Sequence, residues 1–436
     1  MKSIPIKPAS VTNAARAARA QLAAAPWRPI WLMAAPHRLA FFMAALMMAA
    51  SSVWWGIILV TRALSIPLVW AVPVTAAHAL LMTLGFMPLF FAGFLFTAGP
   101  KWLGLREVSA RSLLPSLSCM LAGWVGVLFG FHTQVMLAGA GMLLVAVGWT
   151  RLSVKFFTLL RHSQMPDRVH ARMVAFACGV GVIAMWTAAV SLAISSELLL
   201  RTATQVGLWG FIATVFAVVS HRMIPFFSTS AVPLLDAWRP MWLLWVMLGL
   251  LWTQALLSAA DLWWWPLPAA LRWSQVAFEL PSALLLLWLA VRWGRVQSLK
   301  IRLLAMLHGG FTWLGISFAL NAVSHALMAL TEGALSLGLA PLHAMTMGYL
   351  GATMFAMTTR VSSGHGGRPV AADNTAWVLY WILQAAVLLR VIAAIWPAAG
   401  TPFTLLAIAA WTAATVGWAV RYGRWFGRPR LDGRPG

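Results

Sequence analysis

Charge is what this sequence has least of. Only 9% of its 436 residues are charged, and nine side chains in all are acidic. So few charged groups cannot cover a water-soluble core. With 61% hydrophobic residues and a mean hydropathy of +0.83, the composition excludes a soluble domain and indicates an all-α, polytopic integral membrane protein. Cysteine is nearly absent: Cys119 and Cys178 lie inside apolar segments, where thiols behave as small hydrophobes and say nothing of redox compartment. No nucleophile triad, phosphate loop or zinc motif is present, so hydrolytic and nucleotide chemistry find no support. Residues 1–38 lack an apolar h-region with a cleavage site, and no cleaved secretory signal is expected.

What is present is a succession of apolar runs of about 20 residues, the length that crosses a bilayer as helix. Twelve can be cut: 39–61, 74–99, 112–132, 134–158, 173–195, 202–221, 240–260, 274–293, 303–329, 340–360, 375–397 and 401–421. The domain reading is a cytoplasmic N-terminal arm (1–38), a twelve-helix transmembrane domain (39–421) and a basic cytoplasmic tail (422–436). The formal net charge of +22 follows this topology: all but Arg62, Arg201, Arg272 and Arg390 of the 31 Lys and Arg fall on the side of the N-terminus. That asymmetry is the positive-inside rule and puts both termini in the cytoplasm. Anionic lipid headgroups, not nucleic acid, are the partners such charge implies.

Histidine carries the remaining signal. Segment ten and its exit read HAMTMGYLGATMFAMTTRVSSGHGGRPV, with His343 and His365 22 positions apart. At 1.5 Å per helical residue that is roughly 33 Å, about a bilayer thickness, so the two cannot share one metal. His308 and His325 in segment nine are likewise about 26 Å apart. Depth therefore sorts the membrane histidines into an outer group, His78, His325 and His343, and a cytoplasmic group, His221, His308 and His365. Imidazole ligates haem iron and copper, and Met82, Met328 and Met347 offer thioethers within a turn of the outer group. A lone histidine in an apolar helix more often hydrogen-bonds between helices, so from spacing alone both readings stand. His162 and His170 read as solvated loop histidines, and Pro225 as the stop of segment six. Pro88 predicts a kink in segment two. Glu279 is the one carboxylate placed within the membrane.

The segment-ten stretch resembles the signature of the NnrS family, close to HALTVGAIGxMxLAVMTRVSLGHTGRPL. WRPIWLMAAPHRL, HALLMTLGFMPLFFAGFLFTAGPKWLG, HRMIPFFS and the terminal RYGRWFGRPRLDGRPG are similar too, so the likeness runs through nearly the whole chain. The resemblance implies a bacterial inner-membrane protein of about twelve helices that binds haem, of b type, and copper, with nitric oxide as its small ligand and protection against nitrosative stress as its role. Carried over by position, His343, Arg360, His365 and Arg368 occupy the long motif, with the arginines as partners for haem propionates or as topology determinants. His78 takes the first histidine of a WHAHEM-like pattern and His308 the one before a GYAW-like segment. This chain departs from the former: Ala77, Leu80 and Leu81 replace its Trp, second His and Glu. The metal ligands this reading expects are His78, His325, His343, His308 and His365, with His221 also in the cofactor set. The alternatives are a transporter with histidines along its pathway, against which stand the scarcity of membrane carboxylates and the lack of a clear inverted repeat, and a non-catalytic haem-based sensor or scaffold.

Overall fold

Apolar runs separated by short polar turns can satisfy their backbone in a membrane only as helices, and helices are what form. The computed structural model describes residues 20–232, 236 and 238–434; residues 1–19 of the expected N-terminal arm lie outside them. Among the described residues eleven helices are long and apolar enough to cross a membrane. We label them α1 (Pro36–Ala63), α2 (Val74–Trp102), α3 (Leu114–His132), α4 (Val135–His162), α5 (Val169–Ala193), α6 (Glu197–Ala231), α7 (Met241–Trp263), α8 (Ala269–Arg292), α9 (Arg302–Leu330), α11 (Asn374–Ile395) and α12 (Pro397–Phe426). Between α9 and α11 the chain is helical from Ala340 to His365 and forms α10, whose middle turns, Ala344–Gly351, are π-helical.

α10 is not among the eleven because its sequence is diluted with Thr, Gly and His. Its position makes that tolerable: from Gly348 to Phe355 every residue is buried against protein, so no lipid-facing apolar surface is required there. Three other helices are similarly internal. The apolar windows of α2, α6 and α9 are 83%, 72% and 72% buried, against half or less for the other eight, which form the lipid-facing shell. All six histidines singled out from the sequence lie on these four inner helices.

Sequential helices pack in pairs, α3 on α4, α8 on α9 and α11 on α12, and α12 closes back on α1. Trp27 Nε1 donates to Gly423 O at 3.1 Å, and Arg28 N to Gly427 O at 2.8 Å, so both chain ends lie on one face, the termini face. Pro88 has the effect expected of it: the α-helical ladder of α2 breaks at Gly85–Phe86 and restarts at Met87 with the proline in the first turn, where its missing N–H costs nothing. Pro225 does not stop α6, which continues six residues further to Ala231. A proline removes a single ladder bond, and in a membrane helix neighbouring groups compensate for it. The first helix also begins earlier than expected, with Pro36 in its first turn, which draws His37 into the bundle.

Candidate functional site at the termini face

A cavity of about 660 Å³ opens at the termini face, bounded by the start of α1, the ends of α2 and α10, a turn of α6 and the C-terminal tail. His37 and His365 sit together in it, their ring centroids 4.6 Å apart at 49°. His37 is 1% exposed; its backbone N–H donates to Thr97 Oγ1 at 3.2 Å, and its ring Nδ1 is buried without a hydrogen-bond partner. Around the pair the wall is basic: Lys101, Arg360, Arg430 and Arg434 face Glu107 as the single acid of the lining. The Arg360 guanidinium is fixed over the Phe227 ring at 3.8 Å. Two neutral donors below a cationic rim are suited to a flat, metal-bearing dianion.

The tail forms one wall of this cavity. Arg38, itself buried, donates from Nη1 to Arg428 O at 2.8 Å, and Leu431 N donates to Gly366 O at 3.2 Å. Asp432 accepts from Arg430 Nε at 2.9 Å and Nη2 at 2.7 Å. That guanidinium holds the Asp432 carboxyl down at about 2, against an ordinary 3.8. Because the folded value is the lower one, this contact within the tail is complete above about pH 4 and is lost as pH falls toward 2.

The other histidines form pairs elsewhere. His170 Nε2 and His221 Nδ1 are 3.0 Å apart, and His221 Nε2 lies 3.2 Å from Pro240 O. A carbonyl can only accept, so neutral His221 carries its proton on Nε2 and takes one from His170 Nε2–H, which leaves the buried, unpartnered His170 Nδ1 as a bare lone pair. His170 is thus not a loop histidine: it is 2% exposed in the first turn of α5. His308 Nε2 meets Ser228 Oγ at 2.9 Å. At the opposite end, the far face, His78 stacks on Trp55 with centroids 3.8 Å apart at 19°, its Nδ1 buried and unpartnered. His343 and Arg390 lie within electrostatic reach of it, and His343 Nδ1 is 2.8 Å from Leu339 O. His325 joins neither: its Nδ1 is 2.7 Å from Glu279 Oε2. Among the described residues no three His, Cys, Asp or Glu side chains are arranged to hold a metal ion. The two expected groups of three are therefore replaced by pairs, because helix rotation, invisible to a depth assignment, turns His308, His221 and His325 toward other partners. Of the expected residues, His365 and Arg360 line the cavity; Arg368 instead lies 4.0 Å above the Trp425 ring.

The profile of the NnrS protein family matches residues 31–430, which is nearly the whole chain and spans the cavity from His37 to Arg430. The chain belongs to the NnrS family. Membership makes it, at the level of the family, a multi-pass membrane protein connected with nitric oxide. No curated protein gives a significant match. Sequence reasoning missed His37 in this NnrS chain although the stretch containing it, WRPIWLMAAPHRL, was one of those that resemble the family. The signal was available in Ala35–Pro36: a proline fits the first turn of a helix, which moves the start of α1 ahead of His37.

Proposed function

We propose that the protein binds haem in the termini-face cavity, with His37 as the iron donor and His365 as its neighbour, and that it binds nitric oxide there in protection against nitrosative stress. The observation that carries this reading is the imidazole pair, His37 buried with its Nδ1 unpartnered and His365 half-buried beside it, inside a cavity of about 660 Å³, a volume within the usual range for cofactor sites. Arg360, Arg430 and Arg434 supply cationic donors for propionates, while Phe94 and Phe96 supply apolar wall. Haem, when bound, would provide an iron centre at which a diatomic gas coordinates. The protein's own contribution is to position the imidazoles, with His37 tied to Thr97, and to wall the cavity on one side with the tail, held through Arg38 and Leu431. For copper the fitting donors are His78 and His343, a two-imidazole set suited to that metal. The excess of Lys and Arg on the side of the termini supports a termini face that is cytoplasmic, in a bacterial inner membrane.

The test is a reduced-minus-oxidised absorption spectrum with metal analysis, on full-length protein expressed with haem available, before and after nitric oxide. Near-stoichiometric iron and bands that shift with the gas are expected, with near-complete haem loss in His37→Ala and retained haem with an altered gas-induced shift in His365→Ala. Full haem retention in the double variant would move the site elsewhere, and a colourless, iron-free wild type would end the proposal.

A further inference from the structure

At the far face, the ends of α7 and α9 and the start of α8 enclose a polar cluster in which ionisable groups are locked together. Arg272, 2% exposed, pairs with Asp261 and donates to Gln275 Oε1 at 2.9 Å, and Gln275 Nε2 donates to the second oxygen of Asp261 at 3.1 Å. Trp265 covers the guanidinium from the connecting loop, 5.2 Å from ring to charge. Asp261 is the partly exposed member, with 26% of its side chain accessible. Behind it lies His325, with Nε2 3.7 Å from Asp261 Oδ2 and Nδ1 2.7 Å from Oε2 of Glu279. Glu279 is 0% exposed, and its Oε1 is buried without a partner. Buried ionisable residues within membrane spans mark functional pathways far more often than they serve stability.

Charge counting shows what the cluster can hold. Arg272 balances one carboxylate only, so with His325 neutral the four side chains carry one net negative charge, and binding a single proton cancels it. The three proton-carrying groups are in line, from a half-wet carboxylate through an imidazole to a dry carboxylate. We infer that Asp261, His325 and Glu279 form a proton-loading site, which takes a proton from far-face solvent and stores it on Glu279. The transfer balances. A proton arriving by way of Asp261 bonds to His325 Nε2 while the Nδ1–H bond breaks and an O–H bond forms on Glu279 Oε2. The imidazole is left neutral in its other tautomer, and it resets by rotation of the ring.

Infrared difference spectra of the purified full-length protein between acid and alkaline pH test this directly. A carboxylic-acid C=O band is expected, absent from Glu279→Gln, a variant that keeps an acceptor for His325 Nδ1–H. In Asp261→Asn and His325→Gln the same band should persist, but its exchange on transfer to heavy water should slow by about a hundredfold, the lower limit of what a positioned proton-transfer group contributes. A spectrum that Glu279→Gln leaves unchanged would overturn storage on Glu279, and unaltered exchange in both other variants would overturn the route. The readout involves no haem, so its failure is distinguishable from failure of the cofactor proposal.

Discussion

Replacing Gly141 by leucine is expected to separate α3 from α4 and to cost about 3 kcal/mol or more, the upper range for overpacking a close contact. A Cβ at Gly141 would lie 2.6 Å from Gly123 O and 2.7 Å from Val127 N, and one at Gly123 would lie 2.5 Å from Gly141 O. These neighbours are backbone atoms of the facing helix, which cannot swing aside as a side chain can. Close approach of this kind, through small residues, is how helices associate where lipid is as apolar as leucine. Denaturation of purified protein in mixed micelles should show an early transition for Gly141→Leu and an intermediate one for Gly141→Ala. Coincident curves for all three would mean that the helices do not touch at these glycines.

Arg272→Leu comes second in size. Breaking a buried ion pair by removing one partner costs about 3–5 kcal/mol, and the partial exposure of Asp261 (26%) places this case at the lower end, about 3 kcal/mol. The loss is mainly the stranding of Asp261 and Glu279 beside one imidazole. Adding Asp261→Asn to Arg272→Leu should therefore recover stability, the sign of coupling in a double-mutant cycle. If the two losses simply add, the pair is not the organising contact of the far-face cluster.

Helix number and order were legible in the sequence because a membrane imposes one length and one polarity on every span. Even α10, which is less apolar than its neighbours, could be found from the segments flanking it. Depth was legible as well: His365 lies at the termini face with the chain ends, and His325 and His343 lie toward the other face, as alternation requires. Rotation about the helix axis was not. The π-helical turns Gly207–Ala213 and Ala344–Gly351 change the facing of everything beyond them, and no spacing rule starting from His343 anticipates that. His170 was assigned to a loop and His37 to the N-terminal arm because helix limits were set by hydropathy, whereas the bundle accepts polar first turns once these are buried against other helices. The Glu279–His325 pairing joins residues 46 positions apart, and a single sequence holds no signal for it beyond the rarity of acids.

The cavity at the termini face is assembled from the two ends of the chain: Pro36 and His37 near the start, Arg430 and Arg434 in the last decade of residues. During synthesis His37 leaves the ribosome almost 400 residues before Arg430. The partner ring on α10 follows 328 residues after it, and the tail residues follow later still. The site therefore comes into being only once Arg430 has been made, and whatever occupies it must be delivered to a chain already threaded through the membrane.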